Sequence, residues 1–219
     1  MKKQLSLDLF HTENANGKRN YDIIDLISTE NITDGQIIIY QHFFNELEGD
    51  SIFSELLNNI NWQQDRIQLF GKEVNLPRLT AWYGDLDKFY TYSGITMNPD
   101  PWTETLLSIK KRIEEEININ FNSVLANLYR NGQDYVSWHS DDEQELGENP
   151  TIASVSFGAT RRFLLRHKSN QALETIDLPL GHGSLLIMKG STQHYWKHQV
   201  PKTAKVKAER INLTFRVIK

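Results

Sequence analysis

The chain has 219 residues, of which 39% are hydrophobic and 24% charged, a balance typical of a globular protein with one sizeable core. It contains no cysteine, which excludes disulfides, thiolate nucleophiles and cysteine-ligated metals, so any metal site must use His, Asp or Glu. Because the sequence has neither a run of about 18 apolar residues nor a signal-peptide pattern, we expect a cytoplasmic protein with no membrane contact. We also expect it to be a monomer.

The charge is distributed unevenly along the chain. Residues 1–150 carry 12 Lys and Arg against 25 Asp and Glu, a net charge of −13, whereas residues 151–219 carry 12 against 3, a net charge of +9. A basic C-terminal third suits a polyanion such as nucleic acid, or a site for a small dianion. Basic and acidic segments that face each other in the fold would explain the same asymmetry.

The chain is expected to form one domain after a short lead-in. Residues 1–20 are polar and lack periodicity, which predicts a flexible segment. Residues 21–219 are predicted to form the domain, with a strand, a helix and hairpins up to about residue 100 and a β-rich core over about 101–219.

The N-terminal part of this domain shows three patterns. The β-rich run Ile37–Phe44 predicts a strand, and the apolar spacing within Glu46–Ile60 predicts a helix. Residues Arg66–Leu76 alternate around Gly71, which predicts a hairpin with Phe70 near its tip.

The second half reads as one helix followed by many short strands. An apolar stripe of Leu106, Ile109, Ile113 and Ile117 predicts a helix over Pro101–Ile117. The short β runs are Ser123–Tyr129, Tyr135–His139, Ile152–Phe157, Arg162–Arg166, Thr175–Leu180, Ser184–Met188, Gln193–His198 and Arg210–Val217. This texture predicts a mainly β sandwich or barrel with flanking helices.

A candidate metal site begins where one of these strands ends. His139 and Asp141 are two residues apart, so in extended backbone both side chains lie on one face and one metal ion could bind both. His198, at the end of the predicted strand Gln193–His198, is a candidate third ligand, although spacing alone leaves His194 open as well. Two His and one carboxylate are the ligands of non-haem Fe(II) oxygenases. Most surface His-x-Asp pairs, however, bind nothing.

The last strand adds a second candidate feature. Its alternation places Arg210, Asn212, Thr214 and Arg216 on one face. Arginines that point into a barrel are costly to bury unless a carboxylate meets them, and their planar forks suit a small dicarboxylate. The alternative is that they reach the sheet edge or pair with acidic residues of the first half.

Several motifs occur in the order that one known family shows. They are Phe70-Gly-Lys72, Pro77-Arg78, Tyr83-Gly-Asp85, Tyr90-Thr-Tyr-Ser-Gly94, Asn127-Leu-Tyr129, His139-Ser-Asp-Asp-Glu143, Ile152-Ala-Ser-Val-Ser-Phe-Gly158, His182-Gly-Ser-Leu-Leu186, His198 and Arg210-Ile-Asn-Leu-Thr-Phe-Arg216. With these motifs, about two thirds of the chain resembles the AlkB family of Fe(II)- and 2-oxoglutarate-dependent nucleic-acid demethylases. The subgroup that it resembles is the one similar to the vertebrate DNA-repair homologues.

The resemblance implies a fold, cofactors and a reaction. The fold would be a double-stranded β-helix, or jelly roll, in which His139, Asp141 and His198 bind Fe(II), so that His198 is preferred to His194. The residues expected to hold 2-oxoglutarate are Asn127, Tyr129, Arg210, Asn212 and Arg216. With O2 as the other cosubstrate, the N-methyl group of a base in alkylated DNA would be oxidised, releasing formaldehyde, succinate and CO2. No catalytic residue is needed beyond the metal ligands.

The resemblance also implies a set of substrate-binding residues: Tyr90, Tyr92, Glu143, Phe70 and Arg78. A flipped base would stack between Tyr92 and His139, with Tyr90 hydrogen-bonding at the wall. Glu143 would favour a cationic base such as 1-methyladenine or 3-methylcytosine, and Phe70 would enter the gap left by that base. Ordinary packing is the alternative role for the tyrosines and for Phe70.

Three other functions remain open from the sequence. They are the same chemistry on RNA or single strands, a nucleic-acid-binding module without catalysis, and an oxygenase acting on proteins or small molecules. Basic residues that could contact phosphates, or could only balance the acidic half, are Arg161, Arg162, Arg166, Lys168, Lys202, Lys205 and Lys207.

Overall fold

The computed structural model describes residues 10–11, 21–27, 33–69, 71–86, 90–92, 95–97 and 99–219, with side chains excluded at residues 10, 11, 27, 33, 67–69, 90–92 and 95–97. The strands are β1 (Phe10–His11), β2 (Asp22–Ile27), β3 (Thr33–Tyr40), β4 (Arg66–Leu69), β5 (Lys72–Asn75), β6 (Leu79–Gly84), β7 (Tyr90–Tyr92), β8 (Ile95–Met97), β9 (Ser123–Tyr129), β10 (Val136–His139), β11 (Ile152–Gly158), β12 (Arg161–His167), β13 (Ile176–Leu180), β14 (Ser184–Lys189), β15 (Trp196–Val200) and β16 (Arg210–Arg216). The helices are α1 (Glu46–Asn59), α2 (Glu104–Ile117) and α3 (Thr192–Tyr195), and a 3-10 turn covers Gln144–Leu146.

Two antiparallel sheets form the body of the protein. The larger sheet has the order β1-β2-β3-β14-β11-β16-β9-β6, and the smaller has the order β10-β15-β12-β13. Two further hairpins, β4-β5 and β7-β8, stand apart from both sheets. This mainly β architecture with flanking helices agrees with the prediction from the short strands and with the jelly roll that the family resemblance implied.

The larger sheet is covered on both faces, which explains its nearly continuous apolar strands. On one face, Leu213 and Phe215 pack with Ile109 and other residues of the α1–α2 layer. On the other face, Leu186 packs in a second cluster with Phe163 of the smaller sheet. Full burial of such a side chain contributes roughly 1.5–3 kcal/mol. The space between the two sheets is where the candidate site residues converge.

Both long helices lie close to their predicted bounds. Asn45 and Glu48 form a reciprocal capping box at the start of α1, and the Thr103 side chain caps α2. Helix α2 is capped at its C-terminal end by Asn118, whose φ of 55° lies in the left-handed region. The capping signals therefore set the ends that periodicity alone left approximate.

The N-terminal part differs from prediction in the placement of its strands. β3 ends at Tyr40 instead of reaching Phe44, and Phe43 and Phe44 are buried after a turn. β2 and β6 had no strand prediction, yet both are part of the larger sheet. The larger sheet therefore contains strands from both sides of residue 100, the point at which the sequence analysis divided the domain. Of the lead-in, residues 10–11 pair with β2 and the others lie outside the described residues.

The predicted strand Gln193–His198 is wrong in its first half. His194 and Tyr195 both donate their backbone N–H to Ser191 O, so the chain makes the single helical turn α3 before β15 begins. His198 consequently lies in the middle of β15, and His194 lies on a helix.

The hairpin predicted at Arg66–Leu76 is present. Arg66 pairs with Asn75 and Leu69 with Lys72 across β4 and β5. Gly71 has a φ of 75°, a conformation in which a side chain would be strained. The tip residue Phe70 lies outside the described residues. Among the helices described, none combines the length and apolar character needed to span a membrane.

Candidate metal centre

Three side chains meet between the sheets. His139 at the end of β10 lies opposite His198 in β15, and Asp141 follows two residues after His139. One ligand-type atom from each residue lies within 4.8 Å of the other two. Two imidazoles and a carboxylate at this separation suit a divalent ion such as Fe(II), with coordination positions left for other ligands.

A backbone contact orients His139. Its Nδ1 is 2.8 Å from Ser137 O, which can only accept, so Nδ1 carries the hydrogen and Nε2 presents its lone pair. Nε2 lies 3.9 Å from Asp141 Oδ1. This hydrogen bond fixes the tautomer that a metal ligand needs.

Asp141 is buried and charged. Burial would raise its pKa, but the Arg216 guanidinium, helped by His198 and His139, lowers the pKa to about 2. Arg216 Nη2 donates to Asp141 Oδ1 at 2.9 Å. The carboxylate is therefore ionised throughout the neutral range.

The backbone of Asp141 is also held. Its N–H donates to Gln193 Oε1 at 3.0 Å, and Gln193 is buried in helix α3. Sequence reasoning missed Gln193, because nothing in the local pattern shows that α3 approaches the loop after β10.

His198 is kept neutral. Burial, followed by the charge of His139, lowers its pKa to about 3, and its ring stacks on Phe163 with centroids 5.1 Å apart. The neutral imidazole is the form that binds a metal. His194 is exposed and packs edge-on against Tyr195, so the structure brings His198, and not His194, to the other two ligands.

The candidate 2-oxoglutarate residues line one cavity that includes the three metal-ligand candidates. Strands β9 and β16 are paired so that Arg210 lies opposite Tyr129 and Asn212 opposite Asn127. Those four residues, and the alternate β16 residues Thr214 and Arg216, line the cavity together with the ligand candidates. Register therefore assembles side chains from two distant segments into one wall.

Arg210 is built to meet an anion. It is 1% exposed, and its Nη2 donates to Ser156 Oγ at 2.9 Å. Its Nε and Nη1 have no hydrogen-bond partner among the described residues. Because a buried cation with open donors is costly, a ligand carboxylate would satisfy it. The donors present thus fit both a divalent metal and a carboxylate cosubstrate.

Asn212 has a different local role. Its Nδ2 donates to Ser154 Oγ and to Val155 O, and its Oδ1 accepts from Thr214 Oγ1. These bonds hold the amide in the cavity wall and connect β16 to β11.

Of the predicted substrate residues, the structure describes the side chains of Arg78 and Glu143. Arg78 is buried in the cavity wall, where its Nε donates to Asn127 Oδ1 at 2.7 Å. Glu143 lies just before the 3-10 turn and does not line the cavity, and its buried Oε2 has no hydrogen-bond partner among the described residues. Tyr90 and Tyr92 belong to β7, but their side chains, and all of Phe70, lie outside the described residues. These substrate roles stay predictions.

The predicted phosphate contacts divide into buried and exposed groups. Arg161 is 2% exposed and cannot reach a phosphate, so that candidate role is wrong. Arg162 is exposed but bound through two nitrogens to Asp177. Lys168 pairs with Asp142 at 2.7 Å.

The remaining basic candidates lie at or near the surface. The Arg166 guanidinium lies 4.3 Å from the centroid of the Trp138 ring, and Lys202 Nζ lies 4.6 Å from that of Tyr135. Lys205 and Lys207 are exposed in the segment before β16.

Comparison with known proteins identifies a family for this chain. A family model described as the 2OG-Fe(II) oxygenase superfamily matches residues 36–216. Alpha-ketoglutarate-dependent dioxygenase alkB homolog 3 of Bos taurus is 49% identical over 179 residues, which are 78% of this chain and 62% of that protein. DNA oxidative demethylase ALKBH2 of Homo sapiens is 42% identical over 188 residues, 82% of this chain and 72% of that protein. The resemblance stated from the motifs is confirmed.

Two further findings define the extent of the similarity. The chain spans 62% to 66% of the length of the bovine and human alkB homolog 3 proteins. A solved structure described as "The structure of OsALKBH1" superposes with a TM-score of 0.59 at 15% identity, covering 83% of this chain and 96% of that one. This likeness confirms the predicted fold.

Proposed function

The chain belongs to the AlkB homologues of the 2OG-Fe(II) oxygenase superfamily, and from this we propose that it oxidatively removes methyl groups from N-alkylated DNA bases. The lesions would be of the 1-methyladenine and 3-methylcytosine type. The observation that carries the proposal is the cluster of His139, Asp141 and His198 in one cavity with the open donors of Arg210.

The two ends of the cavity would bind different groups: the metal at one end and the distal carboxylate of 2-oxoglutarate at the other. Bound Fe(II), with O2 and 2-oxoglutarate, would supply the oxidation of the methyl C–H bond, while succinate and CO2 form from the cosubstrate. His139, Asp141 and His198 would hold the metal. Arg210 would bind the distal carboxylate of 2-oxoglutarate, and Arg216 keeps Asp141 ionised at the metal end.

Burial gives the reaction a protected space. Asp141, His198 and Arg210 are all buried, and apolar side chains such as Phe163 and Met188 complete the cavity wall. Such walls limit the access of water and confine the oxidant to the substrate that is bound there. The chain's part is to bind, orient and exclude water, with no nucleophile required.

The choice of DNA as substrate is supported by charge and by the relatives. Arg166 and Lys202 each lie beside an aromatic ring, which suits contact with phosphates and exposed bases. The ALKBH2 relatives are named DNA oxidative demethylases. Within the basic segment that follows residue 150, the exposed side chains of Arg166, Lys202, Lys205 and Lys207 would attract a polyanion.

The test is incubation of the purified protein with Fe(II), 2-oxoglutarate, O2 and an oligonucleotide that carries one 1-methyladenine. We expect the oligonucleotide to reach the mass of its unmodified counterpart with release of formaldehyde, and Asp141→Asn serves as the inactive control. Matched duplex, single-strand and RNA substrates decide among nucleic-acid substrates. Turnover of 2-oxoglutarate without any change in the oligonucleotide would favour another oxygenase substrate, and binding without turnover would favour a non-catalytic module.

A further inference from the structure

The Tyr129 ring contacts two buried guanidinium groups. Arg210 Cζ lies 5.1 Å from the ring centroid, and Arg161 Cζ lies 5.5 Å from it. Both arginines are almost fully buried, at 1% and 2% exposure. Burying two cations against one aromatic side chain is costly, so something in the structure or a ligand must compensate their charge.

Arg161 is held by neutral oxygens. Its Nη1 donates to Asn131 O at 3.1 Å, and its Nη2 donates to Asp134 O at 2.8 Å and to Pro201 O at 2.7 Å. The Asp134 carboxylate is instead bound through both oxygens by Arg130. Among the described residues no carboxylate lies within ion-pair distance of Arg161; burial lowers the pKa of its guanidinium, and Tyr129 and the nearby Asp134 carboxylate only oppose that shift.

The carbonyls that bind Arg161 come from two loops that are also joined to each other. Gly132 N donates to Val206 O at 2.9 Å, and Thr203 N donates to Gly132 O at 2.8 Å. A Cβ on Gly132 would lie 2.0 Å from Thr203 O, so only glycine permits this approach. Arg161 thus fastens the loop after β9, which begins next to Tyr129, to the loop after β15.

Two positive charges on the same tyrosine ring favour a dianionic ligand. Burial lowers the pKa of Arg210; Tyr129 opposes that shift, and the charge of Arg161 adds to it. Repulsion between the two cations raises the energy of the empty site, and a carboxylate that binds at Arg210 relieves it. A 2-oxo acid without a distal carboxylate gains nothing from this relief.

We propose that Arg161 is a positioning residue for 2-oxoglutarate. Its guanidinium, held by the backbone carbonyls of Asn131, Asp134 and Pro201, fixes the Tyr129 ring that it contacts. It also adds a second positive charge at the Arg210 end of the cavity. The inference rests on the proposed function, because it concerns the same cosubstrate. It predicts selectivity for the distal carboxylate of the cosubstrate.

The test compares two 2-oxo acids in binding experiments with Mn(II) in place of Fe(II), so that no turnover is needed. In Arg161→Met, we expect the affinity for 2-oxoglutarate in calorimetry to fall about tenfold, equal to about 1.4 kcal/mol. The thermal stabilisation given by 2-oxopentanoate, which has a methyl group in place of the distal carboxylate, should be unchanged. Arg162→Gln alters the adjacent exposed arginine and should leave 2-oxoglutarate affinity as in wild type.

A second variant covers a folding failure of the first. Arg161→Lys keeps the charge but cannot bind all three carbonyls, and we expect an affinity for 2-oxoglutarate between those of wild type and Arg161→Met, and below wild type in any case. Wild-type affinity in the folded variants, or an equal loss for both 2-oxo acids, would overturn the inference while leaving the proposed function intact. Failure of the wild type to bind 2-oxoglutarate would overturn the proposed function, and this inference with it.

Discussion

Arg216 and Asp141 are joined by a hydrogen bond of 2.9 Å from Nη2 to Oδ1, which links the last strand of the larger sheet to the metal centre beside the smaller one. The contact gives the buried carboxylate a permanent countercharge. It also occupies one oxygen of Asp141 while the ligand cluster remains within 4.8 Å. The metal centre and the strand that bears Arg210 are therefore parts of one connected unit.

Replacing Asp141 by Asn should strongly weaken metal binding with little change in the shape of the side chain. The amide removes the negative charge that a divalent cation needs, and we expect Mn(II) affinity to fall by about 100-fold or more. Formaldehyde release should drop in parallel, while DNA binding persists in part. Normal turnover by Asp141→Asn or by His139→Ala would remove that residue from the metal site.

Replacing Arg210 by Met should stabilise the ligand-free protein but weaken its binding of 2-oxoglutarate. Loss of a buried cation with open donors should raise the free energy of unfolding of the ligand-free protein by about 1 to 4 kcal/mol. The same change should weaken 2-oxoglutarate binding by at least about 30-fold, equal to about 2 kcal/mol. Urea unfolding and calorimetry measure the two effects, and an unchanged 2-oxoglutarate affinity would contradict the assignment of Arg210.

The neutral state of His198 should make the metal-free protein sensitive to acid. Its pKa falls from an ordinary value near 6.5 to about 3 on folding, so between these values the unfolded chain binds more protons. Stability should therefore decrease as the pH falls below about 6.5, by about 1.4 kcal/mol per pH unit. Urea unfolding at pH 7.5 and 5.5 measures this slope.

The slope can be assigned by a matched variant. His198→Gln has no proton to gain, so the part of the acid sensitivity due to His198 should be absent from it. Asp141 does not confuse the comparison, because its carboxyl is ionised in both states over this pH range. An identical slope in the two proteins would contradict the prediction.

Replacing Gln193 by Leu should weaken the metal centre without touching a ligand. The change removes the acceptor of the Asp141 N–H and leaves a buried donor without a partner. We expect a 10- to 100-fold loss of Mn(II) affinity, about the effect of removing a group that orients a ligand. His194→Ala on the same helix alters an exposed residue and should bind Mn(II) like wild type. Equal affinities for all three proteins would show that Gln193 does not orient Asp141.

The sequence predicts the fold well where local patterns decide it. Helix α2 follows from its apolar stripe, and most core strands follow from their turn signals. Strand β6 has five buried residues in succession, so it shows no alternation to detect. Helix α3 is a single turn held by tertiary contacts, such as the bond from Gln36 N to Thr192 Oγ1, which no local pattern contains.

The candidate site was predictable where spacing and family motifs agree. The ligand candidates and the β16 residues come from such motifs. Arg161 and Arg162, in contrast, are two identical residues next to each other in the sequence. Alternation shows that their side chains point in opposite directions, but the loop carbonyls that receive one of them are brought together only by the fold. Gln193 was missed for the same reason.

Because the side chains of β16 alternate without a break, this strand should tolerate substitutions better than insertions or deletions. Arg210 and Arg216 are six residues apart, about 20 Å along an extended strand. Inserting or deleting one residue between them would turn one guanidinium toward the layer where Leu213 and Phe215 pack. A substitution within this segment changes one side chain only. A one-residue shift of register would instead turn away either the Arg210 guanidinium proposed to bind the keto acid or the Arg216 guanidinium that pairs with Asp141. The number of residues between Arg210 and Arg216 thus determines that both guanidinium groups face the same cavity.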